Sequence, residues 1–513
     1  MKRAVIISLS IVLILYMIYL WKYLLVEEIL GLYLIPILTT TILGGLCFLL
    51  IRIFKPIRLQ KLFSILLLVA CIAQVVILLM IFRINPSQSF TKEQIISDID
   101  YAVNMLEEVH PDPYSIISKE DFYLKVDFIK QTLSETVSEK EAHRTISKIY
   151  ALIEDGHTGS SPLLKLPRLK FLPYKFKIMN ERIYVVRTFG YRNVIPVNSE
   201  IISINGMTSQ QYIQEASQLF GWESLSWRNS RLQLPFMFDL WDDCRNSKII
   251  FKTPEGKTKT IRTSGGLFSL LDMGRSELNQ TAGNSYYQYK SLSDSIGFIE
   301  FNSFSDLEKF RIFLDTTFTT IQNENVKHLI IDIRKNGGGN SSLGDEIMQY
   351  ISKTDFRQFD ISHIKISSEL LNAKRFEWLD SVERKAGTVL IYTSPLIELR
   401  ENPLRFTGKT YLLVGGNTFS SASAFTSAFQ CFEVGTVIGS ETGGVTVAFG
   451  DMYGYKLPET KLDMGISHKK FFQACGVDNR RGVIPDYIVE NSIEDEANSF
   501  DRVLEFTLDL IKK

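Results

Sequence analysis

Ser420 stands where a serine could act as a nucleophile. An apolar run over residues 410–414 is broken by Gly415 and Gly416, and the Ala-, Ser- and Phe-rich stretch 421–432 has the composition of a buried helix. A serine at the start of such a helix meets the positive end of the helix dipole, and the N–H of the next residue is uncommitted; both favour a developing oxyanion. The same position suits a plain N-cap, so the junction alone leaves two readings. A second junction follows the apolar run 329–333, where Lys335 and Asn336 lead into Gly337, Gly338 and Gly339. Three glycines there either open backbone N–H groups to an anionic oxygen or form a flexible turn. A serine nucleophile also needs a base. Of the six histidines, His157 lies in the Gly-flanked turn Glu154, Asp155, Gly156, His157, Thr158, Gly159. His110 precedes Pro111 and reads as a helix terminator, and His328 opens an apolar strand. Taken singly, a turn histidine is as readily a solvated polar residue as a base.

Three regimes of hydrophobic spacing must position these residues. Over residues 90–155, Ile95, Ile99, Ala102, Val103 and Leu106, then Phe122, Val126, Ile129 and Leu133, recur at helical spacing and predict a helical subdomain. After Pro162, short runs rich in β-formers at 175–178, 182–187, 201–204 and 248–252 are bounded by Gly, Asn and Pro, with a helix expected over 208–216. From about residue 295, apolar strands at 296–301, 328–333, 410–414 and 436–438 alternate with helices, the pattern of an α/β layer with parallel pairing.

The ordered set Asp155-Gly-His-Thr158, Asp332 to Gly339, Thr418-Phe-Ser-Ser-Ala422, Glu441-Thr-Gly-Gly444 and Gly482-Val-Ile-Pro-Asp486 resembles the C-terminal-processing (tail-specific) and tricorn-core serine peptidase family. It also resembles the repeats of interphotoreceptor retinoid-binding protein. The resemblance implies a helical N-terminal subdomain, a PDZ-like module and an α/β core with a crotonase-like ββα spiral. It implies Ser420 as nucleophile, because nineteen residues separate Ser420 from Gly439 as in the family, whereas Ser421 requires a deletion. Ser421 remains the alternative nucleophile, and its N–H, with Gly338 and Gly337, is the implied oxyanion hole. The tail-specific branch has a lysine where this chain has Val445, and no lysine occurs between Lys409 and Lys456. That leaves the Ser–His branch with His157 as base. Its third polar residue, a glutamate, corresponds to Asn479, with Asp478 beside it; Asp478 could orient and charge-stabilise the imidazole, Asn479 only orient it. Asp155 and Asp486 read as turn-stabilising carboxylates, and Asp332 and Arg334 as supports of the glycine turn.

The chain balances 57 Lys and Arg against 57 Asp and Glu, which excludes a strongly basic nucleic-acid binder. The balance hides an asymmetry. Residues 1–89 hold Lys2, Arg3, Lys22, Arg52, Lys55, Arg58, Lys61 and Arg83 against Glu27 and Glu28, a net of +6, leaving −6 for residues 90–513. Apolar runs at 4–25, 29–53 and 62–82 are each long enough to span a bilayer. The first is longer than a signal-peptide core and lacks a small-x-small cleavage site. Arg52, Lys55, Arg58 and Lys61 place the second loop in the cytoplasm, hence the N-terminus inside and residues 84–513 outside. Five cysteines, two of them in the apolar runs, argue against a disulfide scaffold or a zinc site, and no cofactor or metal is expected.

The expected organisation is thus three transmembrane helices in 1–84, a helical subdomain in 90–160, a PDZ-like, β-rich module in 166–265, a peptidase core in 290–492 and a C-terminal helix in 493–513. The expected function is a membrane-anchored, extracytoplasmic serine endopeptidase acting on a peptide or protein. The alternatives are a catalytically degenerate binder of peptides or apolar ligands, and a membrane-linked sensor.

Overall fold

A six-stranded sheet carries both glycine-rich junctions at its strand ends. Its order is Tyr287–Ser293, Ile296–Phe301, His328–Asp332, Lys409–Val414, Thr436–Gly439, Tyr487–Ile488. The first pair is antiparallel and the rest parallel, in register Ile330 with Tyr411 and Leu412 with Val437. The central strands are apolar on both faces because helices cover both. Leu307–Asn323, Ser342–Ile351 and Ser421–Cys431 bury Phe310, Leu314, Ile347, Phe425 and Phe429 against Ile299, Leu329, Ile331 and Leu412. Arg502–Lys512 closes the other face over Ile330, Tyr411 and Leu413. The expected strands thus pair in parallel as their apolar character requires.

The computed structural model describes residues 88–160, 172–189, 195–234, 237, 246–263, 286–380 and 384–513. The three expected transmembrane helices lie outside the described residues. Among the described residues no helix is long and apolar enough to cross a membrane.

Besides a two-stranded pair, Ser89–Thr91 with Thr136–Ser138, the described residues hold two further sheets. The antiparallel set Thr388–Thr393, Phe359–Ile366, Asp463–Gln473 and Val447–Lys456 also takes up the short strand Gly159–Ser160, directly after His157. Helices Lys92–Val109, Lys119–Gln131 and Glu139–Ala151 share one apolar cluster with this sheet, from Ile95, Leu106 and Ile146 to Ile364, Leu457 and Ile466. The buried Asp98 carboxylate fastens the two by accepting the Glu459 and Thr460 N–H groups at 2.8 Å each. The third sheet runs Tyr174–Met179, Arg182–Thr188, Glu200–Ile204, Ser247–Lys252 and Thr258–Thr263 and packs on helix Ser209–Ala216.

Among the described residues the cysteines contribute one bridge rather than a scaffold. Cys431 and Cys475 form a disulfide, joining the end of helix Ser421–Cys431 to the chain leaving strand Asp463–Gln473. Their separation of 44 residues closes a large loop. Such a loop stabilises by about 2–4 kcal/mol through the unfolded chain. The double variant Cys431→Ser, Cys475→Ser is expected to unfold several degrees lower in a thermal melt, and reductant should bring the wild type down to it while leaving the variant unchanged.

Candidate active site

Ser420 occupies the sharp turn between strand Lys409–Val414 and helix Ser421–Cys431, with φ 54° and ψ −126°. This is a left-handed conformation unusual for a non-glycine residue and costs about 1–3 kcal/mol, so the surroundings must impose it. They do so through neighbouring turns. The Thr418 hydroxyl donates to Ile333 O and accepts from Gly415 N–H, each at 3.0 Å, and Phe419 N–H donates to Asn336 O at 3.1 Å. The Ser420 side chain makes no capping bond to its helix. The N-cap reading of the sequence therefore does not describe this residue. Ser421 differs: it is buried, and its hydroxyl donates to Gly339 O at 2.6 Å.

The glycine turn lies against this serine. Gly338 has φ +96°, and a Cβ there would come within 2.7 Å of Ser420 Cβ and 2.9 Å of Ser421 N. The Gly338 N–H, however, donates to Asn336 Oδ1 at 2.9 Å, so the expected oxyanion donor is already used. Among the described residues the N–H groups of Gly337, Gly339 and Ser421 have no acceptor. Asp332 and Arg334 brace the turn: Arg334 pairs with Asp332 at 2.6 Å and with Asp501 at 2.7 Å.

His157 reaches the same place from the helical side. Its ring stacks on Phe419 at 4.6 Å, and Phe419 stacks on Trp227 at 3.8 Å. Both imidazole nitrogens are buried without a hydrogen-bond partner, so no bond joins His157 to Ser420. Burial lowers the proton affinity of His157 below that of an ordinary histidine, and the nearby Asp155 charge offsets this only in part. Asp155 is fully engaged in the turn. Its Oδ1 accepts the His157 N–H at 2.8 Å, and its Oδ2 accepts the Thr158 hydroxyl and lies 3.4 Å from His110 Nε2. Burial pushes its pKa up, but His110, His157 and Thr158 outweigh this and hold it at about 2. His110 is therefore more than a helix terminator: it is a buried partner of the turn.

Asp478 and Asn479 do not meet His157. Both are exposed; Asp478 faces Lys470 at 3.7 Å, and Asn479 Oδ1 accepts the Arg481 N–H at 3.0 Å as a local turn brace. Asp486 likewise accepts from Val437 N–H and Gln430. A carboxylate the sequence analysis missed lies beside His157 instead. Glu223 is buried, with neither oxygen hydrogen-bonded, and its ligand atom, one of Asp155 and one of His157 all lie within 4.8 Å of one another. Among the described residues this trio could hold a cation, although Asp155 is already occupied by its own turn. No motif marks Glu223; only the tight approach of Gly221 to the Asp155 carbonyl, where no Cβ fits, brings it there.

Residues 295–489 match the model of Peptidase family S41. These residues are an S41 peptidase domain. By that domain the chain is a serine-type peptidase. Mature CPAF complexed with lactacystin is similar in structure with a TM-score of 0.60 at 15% identity, covering 82% of this chain and 98% of that one. Mature CPAF alone gives 0.60 at 16% identity, over 82% and 97%. Both likenesses are of fold. No curated protein sequence matches. The S41 match takes in Ser420 and the glycine turn, whereas His157 and Glu223 lie before it.

Gly338→Ala would force a methyl group into Ser420 Cβ at a backbone angle that disfavours any side chain. The variant should fold, by circular dichroism, yet react with a fluorophosphonate probe at least tenfold more slowly than wild type.

Proposed function

We propose that this chain is a membrane-anchored, extracytoplasmic serine endopeptidase with Ser420 as nucleophile and His157 as base. The observation that carries the reading is the contrast between adjacent serines: Ser420 is held in a strained turn with its hydroxyl uncommitted, while the Ser421 hydroxyl is spent on Gly339 O. In the reaction Ser420 Oγ bonds to the scissile carbonyl carbon, and its proton passes to His157, which returns it to the leaving amine. The Ser421 N–H faces the oxyanion, with Gly337 of the glycine turn as second donor; each such donor is worth about 3 kcal/mol in the transition state. A neutral, desolvated His157 is able to accept a proton at pH 7.

The sheet from Tyr174 to Thr263 is read as the PDZ-like module, capturing an extended peptide by strand addition. The three apolar runs and the basic loop at 52–61 support the anchor, and the Cys431–Cys475 bridge suits an oxidising compartment. A second reading, a non-catalytic peptide binder, draws on the missing hydrogen bond between His157 and Ser420.

Fluorophosphonate labelling decides between them. Wild type is expected to label, Ser420→Ala to lose labelling, and Ser421→Ala to retain it within about tenfold, since it loses one hydrogen bond. The labelling rate should fall as the pH drops, with a midpoint below 6.5, and this limb should vanish in His157→Ala. An unlabelled but folded wild type would support the binder. Separately, a phosphatase reporter fused after residue 90 should be active and one fused after residue 57 inactive; the reverse pattern would overturn the topology.

A further inference from the structure

The base of a serine peptidase works best when a third group holds its far ring nitrogen and stabilises the imidazolium. In the position where the resemblance places that group, this chain has the exposed Asn479, whose side chain is committed to Arg481. Asp155 is nearer, with Oδ1 at 3.9 Å from His157 Nδ1, but its oxygens already accept the His157 N–H and the Thr158 hydroxyl, with His110 Nε2 3.4 Å from Oδ2.

Among the described residues, Glu223 keeps free acceptors near the ring. Its placement is built in. Ser224 caps helix Leu225–Leu232 by accepting the Trp227 N–H at 3.1 Å, and its hydroxyl also donates to Gly443 O at 2.7 Å. Ser226 donates to Glu441 O at 2.8 Å, and Gly221 presses on the Asp155 carbonyl. Residues 221–226 are therefore clamped between the histidine turn and the Glu441–Gly444 loop, and Trp227 of the same segment stacks on the ring that carries His157.

We propose that Glu223 is the positioning residue of the site: it accepts the N–H of the His157 ring nitrogen remote from Ser420, orients the imidazole and stabilises its charged form. This rests on the Ser420–His157 reading above. The motion required is small, because the groups already lie within 4.8 Å and Glu223 has rotatable bonds to spare. Its driving force is the state of both partners. A buried carboxylate and a buried imidazole, each without a hydrogen bond, are costly apart and satisfied together. Apart, each group is pushed toward its neutral form: burial and the Asp155 charge raise the proton affinity of Glu223, with the Gly156 amide, Arg480 and the Phe449 amide opposing, while burial lowers that of His157. Pairing moves both back. The charged and titratable groups facing the pair are Asp155, His110 through Asp155, and Arg480. In the reaction the Ser420 proton moves to one ring nitrogen as Oγ attacks, the proton on the other nitrogen stays in its bond to Glu223, and the carboxylate remains ionised. The β-rich segment thereby supplies part of the catalytic centre rather than only a docking surface.

The test uses the full chain in detergent, with Glu223→Ala, Glu223→Gln and Glu223→Asp. Removing a third member of this kind costs up to about 10⁴-fold. Fluorophosphonate labelling of Glu223→Ala is expected to slow at least 100-fold, with partial recovery in Glu223→Asp and an acid limb shifted to lower pH in Glu223→Gln. A labelling rate within threefold of wild type in Glu223→Ala, or equal losses in all three variants with an unmoved acid limb, would overturn the proposal. So would loss of wild-type labelling on chelation with recovery on added Zn²⁺, which would make the trio a metal site. An independent readout is the NMR titration of the His157 imidazole in Ser420→Ala. Glu223→Gln should lower its pKa by about 1 or more; an unchanged value rejects the pairing even if the serine never reacts. Absence of wild-type labelling with that shift present would reject the peptidase reading and keep the pairing.

Discussion

Asn336 holds the peptidase core together at the point where it matters. Fully buried, it donates from Nδ2 to Phe301 O at 2.8 Å, accepts the Gly338 N–H on Oδ1 at 2.9 Å, and accepts the Phe419 N–H on its own carbonyl. One side chain and one peptide group thus link the ends of three neighbouring strands. Without these bonds the glycine turn would have no fixed distance from Ser420, and the strained backbone there would relax. The use of Gly338 N–H in this link explains why an apparent oxyanion donor is a structural one. A buried polar residue with every group satisfied specifies a geometry more sharply than apolar packing does.

The parallel strands were legible because burial on both faces leaves nearly continuous apolar runs, and the two junctions because glycines interrupt them. Spacing favoured Ser420 over Ser421, and in the structure the Ser421 hydroxyl donates to Gly339 O. What escaped was everything that depends on distant segments meeting. Glu223 sits in an unremarkable sequence, and its burial arises from the clamp on residues 221–226. Counting placed Asn479 at the third position, yet its turn folds back on Arg481 and leaves it in solvent. Parity was equally misleading for cysteine: an odd number outside the apolar runs said nothing about whether two of them would be adjacent.

The helical region also proves less separate than its periodicity suggests. Its buried residues, from Ile95 to Ile153, have no core of their own and close over the sheet carrying Ile364 and Ile466. His157 follows directly from this packing, since the turn at Asp155 ends the last helix and enters the short strand at Gly159. The turn that carries His157 and the helix that follows Ser420 are therefore anchored in different apolar clusters, and their approach is set by how those clusters abut.

The bridge between Cys431 and Cys475 lies beside the cluster of the parallel sheet, which takes in Ala474 and is packed by Cys431. It ties the helix that begins at Ser420 to the sheet that receives the strand after His157, alongside the Ser427 hydroxyl bond to Ala474 O. Disulfide formation thus acts as an assembly signal: under reducing conditions the chain lacks this fastener between the helix that follows Ser420 and the strand that ends at Gln473.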